Sequence, residues 1–179
     1  MMPVVMPGGR DHFPRAVDII LRQEGVLSDD SADRGGLTKY GISQRAYPDL
    51  DIRALTIDAA IALYRRDYWD RNRCGAMPWP LALTVFDAGV NQGTAAAAML
   101  LQRALRVAAD GAIGPVTLAA IHRAETGELL ADYLSRRARR YAALARTDPE
   151  QRKFLRGWLK RLFHIQQAAL APPSSGAFS

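Results

Sequence analysis

The stretch from Glu24 to Ile42 contains residue types that acid–base chemistry requires. Val17, Ile20 and Leu21 have helical spacing, and Glu24 is the next member of that series. A carboxyl group on the apolar side of a helix, at its C-terminal end, is harder to ionise, which suits a general acid. The spacing alone slightly favours the alternative, in which the head group of Glu24 reaches water from the helix end.

The loop after this helix adds further acidic residues and the small residues of a tight turn. Its notable members are Gly25, Asp29, Asp30, Asp33, the pair Gly35-Gly36, and Thr38. Gly25 suits the left-handed conformation at a helix C-terminus. A calcium loop starting at Asp29 would need Gly at its sixth position and Glu at its twelfth, but Arg34 and Tyr40 stand there. We therefore expect no metal and no cofactor.

The string E-G-V-L-S-D-D-S-A-D-R-G-G-L-T-K-Y-G-I-S, residues 24–43, resembles the signature of glycoside hydrolase family 108. This family comprises the muramidases of phage endolysins and secretion-associated lysozymes. Its pattern of a catalytic Glu, an Asp, a double Gly and a Thr matches Glu24, Asp33, Gly35-Gly36 and Thr38. The chain departs from the pattern at Val26, where the family usually has Gly, and at Leu27, where it usually has an aromatic residue.

The resemblance implies a mainly α, lysozyme-like helical fold with a small β-hairpin beside the active-site cleft. It also implies hydrolysis of the β-1,4 bond between N-acetylmuramic acid and N-acetylglucosamine in peptidoglycan. Glu24 would protonate the leaving oxygen, Asp33 would stabilise positive charge or activate water, and Thr38 would position that water. Asp29 and Asp30 are weaker candidates for the second acid, because loop-tip aspartates are typical turn formers.

Two alternatives remain open beside this function. A lytic transglycosylase would use Glu24 alone as acid and base, and its second acid would be dispensable. A non-catalytic peptidoglycan-binding protein would have lost activity, and Val26 is the one feature of the sequence that points there.

Aromatic and polar residues outside the loop are candidates for substrate binding. Thr56 is expected to cap a helix that carries Tyr64 and Tyr68, and Trp69 at its end is predicted to line the cleft. A second helix over Leu81 to Asn91 carries Asp87 and Asn91 four residues apart. This pair is either a buried structural network or part of the cleft. With Tyr40 of the hairpin, the substrate-binding candidates are Tyr40, Trp69, Asp87 and Asn91.

The second half of the chain reads as a series of short helices. Asp110-Gly111-Ala112-Ile113-Gly114-Pro115-Val116-Thr117 resembles a run found in peptidoglycan-binding modules, although a turn followed by a helix start explains it without a ligand. Thr94 is expected to cap one of these helices, and Thr126 is expected to lead into another. Outward, solvated faces are predicted for Arg136, Arg137, Arg139, Arg140, Arg152, Lys153, Arg156, Lys160 and Arg161.

These observations divide the chain into four parts. Residues 1–10 are a flexible tail, 11–80 the catalytic part, 81–167 a helical peptidoglycan-binding part packed against it, and 168–179 a disordered tail. Residues 1–80 carry 11 Lys/Arg and 11 Asp/Glu, and residues 81–179 carry 13 and 7, so the net charge of +6 comes from the second half. A basic surface attracts polyanions, but no nucleic-acid motif accompanies it.

The remaining expectations concern the setting in which the protein works. No apolar run is long enough to span a bilayer, and no secretory signal is recognisable, so cell-wall action would require release by a holin or another non-Sec route. The single Cys74 excludes an intramolecular disulfide and is expected to be a small buried residue. We expect a monomer whose partner is the peptidoglycan glycan strand.

Overall fold

The computed structural model describes residues 11–24, 27–28 and 37–172, with the backbone alone at Glu24, Leu27 and Ser28. The N-terminal tail predicted for residues 1–10 lies outside this part, as do residues 173–179 of the predicted C-terminal tail. No helix within the described ranges is long and apolar enough to cross a membrane.

Seven α-helices and one small sheet make up the described chain, which confirms the mainly α prediction. The helices are α1 Phe13–Glu24, α2 Ile57–Tyr64, α3 Trp79–Gln92, α4 Thr94–Ala104, α5 Pro115–Arg123, α6 Thr126–Thr147 and α7 Leu155–Leu170. The strands are β1 Leu27–Ser28, β2 Thr38–Lys39 and β3 Ile42–Ser43, and they pair antiparallel in that order. The sheet therefore has one strand more than the predicted hairpin.

A two-residue turn sets the register of β2 and β3. Lys39 pairs with Ile42, and the residues between them, Tyr40 and Gly41, have φ values of 52° and 76°. Positive φ at both central positions is the geometry of the tight hairpin turn whose twist matches that of the strands. The Tyr64 hydroxyl donates to the carbonyl of Tyr40 at 2.9 Å, and this hydrogen bond ties the turn to the last residue of α2.

Helix starts follow the sequence signals in some places and not in others. Thr56 caps α2 as predicted, because its hydroxyl accepts from the Ala59 N–H at 3.2 Å. Pro115 begins α5 directly after Gly114, also as predicted. Thr126 leads into α6 as predicted, with Glu125 at the cap position. Thr94 is the first residue of α4, so the prediction that it caps this helix is one residue off, and Gly93 holds the cap position.

Helix α3 is the centre of the hydrophobic core. Residues 81–89 are all buried, and the core around them includes residues of α1, α2, α4, α5, α6 and α7. The Phe86 ring lies 5.4 Å from Trp69 and 6.0 Å from Phe13, centroid to centroid. Because α3 packs on both the preceding and the following elements, the division predicted after Pro80 stays a prediction.

Helix α7 is longer than the sequence pattern indicates. The disordered tail is predicted to begin at residue 168, but the helix continues to Leu170 and Ala169 is 2% exposed. Ala169 belongs to the main core cluster, and that packing holds the last turn of α7 in place.

Candidate active site

The first helix ends at the residue predicted to be the general acid. The buried face of α1 consists of Phe13, Ala16, Val17 and Ile20. Glu24 is the last residue of the helix and follows Ile20 by four positions, so it continues the same face of the backbone. This confirms the predicted helix end, and the role of Glu24 in catalysis stays a proposal.

The small sheet brings the predicted Thr38 next to the chain that leaves α1. Thr38 pairs with Ser28 of β1 on one side and with Ser43 of β3 on the other. β1 begins three residues after Glu24, so the end of α1 and the Thr38 strand belong to one region. Asp33 falls in residues 29–36, which connect β1 to β2 and lie outside the described residues together with Asp29 and Asp30.

Tyr40 lies at the turn of the same sheet. Its ring is partly exposed, and the Lys39 ammonium lies 5.6 Å from the ring centroid. Lys39 Nζ also donates to the carbonyl of Arg53 at 2.8 Å, which ties the hairpin to the segment before α2. This position keeps Tyr40 available as a substrate contact.

A groove runs from the end of α1 across α7. Its first part is a cavity of about 440 Å³ lined by Arg22, Gln23, Asn91, Gly157, Trp158, Lys160, Arg161 and His164. A smaller cavity of about 270 Å³ shares Asn91 and Trp158 with it. Arg22 and Gln23 belong to the last turn of α1 and directly precede Glu24, so the groove lies beside the end of that helix. We call the two cavities together the α1–α7 groove.

The prediction that Asp87 contacts substrate is wrong. Its side chain is 0% exposed, and both carboxylate oxygens are occupied. Arg137 Nη2 donates to Oδ2 at 2.7 Å, and Arg161 Nε donates to Oδ1 at 2.8 Å. The alternative reading of Asp87, a buried structural network, is the one that the structure supports.

Asn91 connects that buried network to the groove. The Tyr141 hydroxyl donates to Asn91 Oδ1 at 2.6 Å, and Arg137 Nη2 donates to the Tyr141 oxygen at 3.3 Å. Asn91 is partly exposed and lines both cavities of the groove. It therefore remains a substrate-binding candidate, with its orientation fixed by Tyr141.

Electrostatic attraction holds the network together at the centre of the molecule. Burial by itself would lower the pKa of Arg137, but the attraction of the Asp87 carboxylate, its hydrogen bond and the contributions of Tyr133 and Tyr141 together outweigh it, and the pKa lies above its ordinary value. Burial raises the pKa of Tyr141, so its hydroxyl remains a donor to Asn91. The cluster fastens α3 to α6 and α7 and thereby fixes one wall of the α1–α7 groove.

The prediction that Trp69 lines the cleft is also wrong. Trp69 is 1% exposed and packs edge-on against Phe13 and Phe86. It lies in a π-helical turn over Arg65–Asp70. This wider turn places residue i+5 where an α-helix would place i+4, so Trp69 follows Tyr64 into the core.

The residues of α7 that line the groove are not among the predicted site residues. Arg161 was predicted on a solvated face, whereas it lines the cavity together with Trp158. Gln92, one residue beyond Asn91, lines the smaller cavity, and its side-chain amide has no hydrogen-bond partner among the described residues. The helical spacing of Trp158 and Arg161 indicates that the two side chains share one side of α7, but it does not identify the helix that packs against that side.

Two family models match the chain, and together they span most of the described residues. The model described as "Glycosyl hydrolase 108" matches residues 17–93, which include α1, the sheet, α2 and α3. Residues 17–93 are thus similar to the glycosyl hydrolase 108 family. The model described as "Predicted Peptidoglycan domain" matches residues 96–163. The two matches together support a glycoside hydrolase that acts on peptidoglycan.

A solved structure supports the assignment of the fold. "Structure of Brucella abortus SagA" matches with a TM-score of 0.80 and 26% sequence identity, over 90% of this chain and 95% of that chain. The search of curated proteins found no match. The glycosyl hydrolase 108 match and the peptidoglycan match meet between residues 93 and 96, close to the boundary of α3 and α4.

Proposed function

We propose that the protein is a muramidase, which hydrolyses the β-1,4 bond between N-acetylmuramic acid and N-acetylglucosamine, with Glu24 as general acid. The observation that carries this proposal is the position of Glu24. It ends the core helix α1 within the region matched by the glycosyl hydrolase 108 model, and the two residues before it, Arg22 and Gln23, line the α1–α7 groove.

The proposed reaction assigns one role to each polar residue of this region. Glu24 donates a proton to the leaving glycosidic oxygen, and Asp33 either stabilises the developing positive charge or activates a water molecule. Thr38, held between Ser28 and Ser43 in the sheet, positions that water. A retaining enzyme needs its two carboxyl groups about 5–5.5 Å apart and an inverting one needs about 6.5–9.5 Å.

The α1–α7 groove is the proposed path of the glycan chain. Its lining combines the Asn91 amide with the Trp158 indole. An amide can exchange hydrogen bonds with the N-acetyl groups of the sugars, and an indole packs on apolar sugar surface. The helices of the second half thereby form part of the proposed cleft, and Tyr40 is the substrate contact expected from the sheet.

Product analysis tests this proposal. Purified protein is incubated with isolated peptidoglycan, and the soluble fragments are identified by mass spectrometry. A muramidase releases muropeptides with a reducing N-acetylmuramic acid. Anhydro-muramic acid products would reassign the reaction to a lytic transglycosylase, and sedimentation with the wall without any release would make the chain a binding protein.

A second set of variants tests the acidic partner. Asp33→Asn is compared with Asp29→Asn and Asp30→Asn, which change the same charge in the same loop. We expect loss of activity in the first variant and near-normal activity in the other two. Full activity of Asp33→Asn would remove Asp33 from the mechanism and favour the use of Glu24 alone.

A further inference from the structure

A further cavity lies between α4 and α6, next to the α1–α7 groove. It encloses about 550 Å³ and is lined by Leu100, Arg103, Arg136, Arg139, Arg140, Ala142, Ala143 and Arg146. Five of these eight residues are arginines. We call it the arginine groove.

Four of the five arginines belong to α6, and their spacing places them on one side of that helix. Arg136, Arg139, Arg140 and Arg146 follow one another at intervals of three, one and six residues, which keeps them on neighbouring helical positions. At 1.5 Å per residue this row is about 15 Å long. Arg137, which lies outside the row, points into the core instead and is neutralised by Asp87. The prediction of a solvated face is therefore wrong for Arg137 and holds for its neighbours.

The charge of the arginine groove is largely uncompensated. Residues 94–109 and 133–147 contain no Asp or Glu, so neither helix supplies a counter-charge along the row. Asp132 pairs with Arg136 at 3.1 Å at one end. Within the described ranges, Arg103, Arg139, Arg140 and Arg146 have no acidic partner, and all four are exposed.

The lining indicates which chemical group the groove accepts. Its uncharged members are Leu100, Ala142 and Ala143, so the described lining contains no aromatic ring against which a sugar could pack. A guanidinium presents a planar pair of N–H donors that fits a carboxylate in two parallel hydrogen bonds. The groove is thus built for a row of anionic groups and not for a pyranose.

We propose that the arginine groove binds the carboxylates of the stem peptides of peptidoglycan. This inference rests on the proposed function only in taking peptidoglycan as the substrate. The groove lies within the matched "Predicted Peptidoglycan domain", and Arg140 lines both this groove and the smaller cavity of the α1–α7 groove. When a glycan strand lies in the α1–α7 groove, the stem peptide on one of its N-acetylmuramic acid residues can therefore extend towards Arg140.

Co-sedimentation with peptidoglycan tests the inference in a chain that carries Glu24→Gln, so that the wall is not digested. The groove variant adds Arg103→Gln, Arg139→Gln and Arg146→Gln. The control adds Arg152→Gln, Lys153→Gln and Arg156→Gln, which remove the same charge from exposed positions outside the groove. We expect the groove variant to bind about tenfold more weakly and the control about as well as its parent.

The substrate is varied in parallel. Peptidoglycan free of wall-linked phosphate polymers is compared with glycan strands from which an amidase has removed the peptides. We expect removal of the peptides to weaken the parent about as much as the arginine changes do, with no additional effect on the groove variant. Added salt should weaken the binding of the parent more than that of the groove variant, because the parent retains more of the exposed charge that salt screens.

Three results would overturn the inference. Equal losses in the groove variant and the control would show an effect of net charge alone. Undiminished binding to peptide-free strands would exclude the stem peptides. Binding of the parent to phosphate-polymer-bearing walls or to anionic lipid vesicles, but not to stripped peptidoglycan, would identify a different anion.

Hydrolysis is measured separately in chains that retain Glu24. A wild type that releases no fragments would refute the proposed function while leaving the binding result to stand. Normal fragment release together with unchanged binding by the groove variant would refute the inference alone.

Discussion

Replacing Asp87 by Asn tests the buried ionic network most directly. Asp87 is 0% exposed and accepts charge-assisted hydrogen bonds of 2.7 Å from Arg137 and 2.8 Å from Arg161. The amide of Asn is nearly the same size, so the packing of α3 is preserved. What changes is the charge, because Arg137, also 0% exposed, loses its carboxylate and cannot reach water.

The expected loss of stability is large for a single substitution. Breaking a buried ion pair from one side costs about 3–5 kcal/mol, because an uncompensated charge remains in the interior. In a chain of this size, each 1 kcal/mol lowers the melting temperature by roughly 2–4 °C, so a fall of about 6–20 °C is expected. A second change, Arg137→Met, should restore part of the loss by removing the stranded charge.

Urea unfolding followed by circular dichroism measures this effect. The matched control is Asp132→Asn, which breaks the Arg136–Asp132 pair, whose side chains are 32% and 45% exposed. Exposed pairs of this kind contribute at most about 1 kcal/mol. Equal losses for the two variants, both below about 1 kcal/mol, would refute the view that the Asp87 network is dry and structurally required.

Three further predictions concern caps and the free thiol. Thr56→Ala should lower stability by about 1 kcal/mol in urea unfolding and Thr56→Ser by much less, because the lost bond is the one from the Ala59 N–H to the hydroxyl; equal losses would contradict this. The Glu125 carboxylate accepts hydrogen bonds from the Glu128 and Gly127 N–H groups, and these bonds lower the pKa of Glu125 below the ordinary 4.5. The stabilising effect of this cap is therefore present above pH 4.5 and is lost as the pH falls through the pKa of the folded state. The stability difference between wild type and Glu125→Gln should therefore shrink in acid, and a difference that stays constant down to pH 2 would refute it. Burial raises the pKa of the Cys74 thiol, so a thiol reagent should label the native protein only at the rate of unfolding, and rapid native labelling would contradict the observed burial.

Local signals predicted much of the fold, because they depend on residues close together in the chain. Thr56, the Gly114-Pro115 pair and the end of α1 at Glu24 each combine one residue type with one nearby helical pattern. Cys74 was correctly expected to be buried, since a lone small apolar residue without partners commonly is. These features need no knowledge of which helices touch.

Contacts between distant residues could not be predicted in this way. Arg137 lies on a different face of α6 from Arg136 and Arg139. Only its contact with Asp87, fifty positions earlier in the chain, explains why its side chain points inwards. Trp69 was assigned to the cleft because it stands at the end of the predicted helix, whereas the π-helical turn carries it into the core. For the candidate site, the sequence offered Glu24 and Asn91 as candidates, whereas Trp158 and Gln92 became visible only once α3 and α7 were packed together.

The central claim is that Glu24 is the general acid of a muramidase, and one rate measurement tests it most directly. The release of reducing-end N-acetylmuramic acid from peptidoglycan is compared for wild type, Glu24→Gln and Asp18→Asn, the last being the same carboxylate-to-amide change at an exposed position of α1 outside the groove lining. General acid catalysis contributes about 10²–10⁴-fold, so the rate of Glu24→Gln should fall by at least about a hundredfold, with Asp18→Asn close to wild type. A Glu24→Gln rate within a few-fold of wild type would contradict the account.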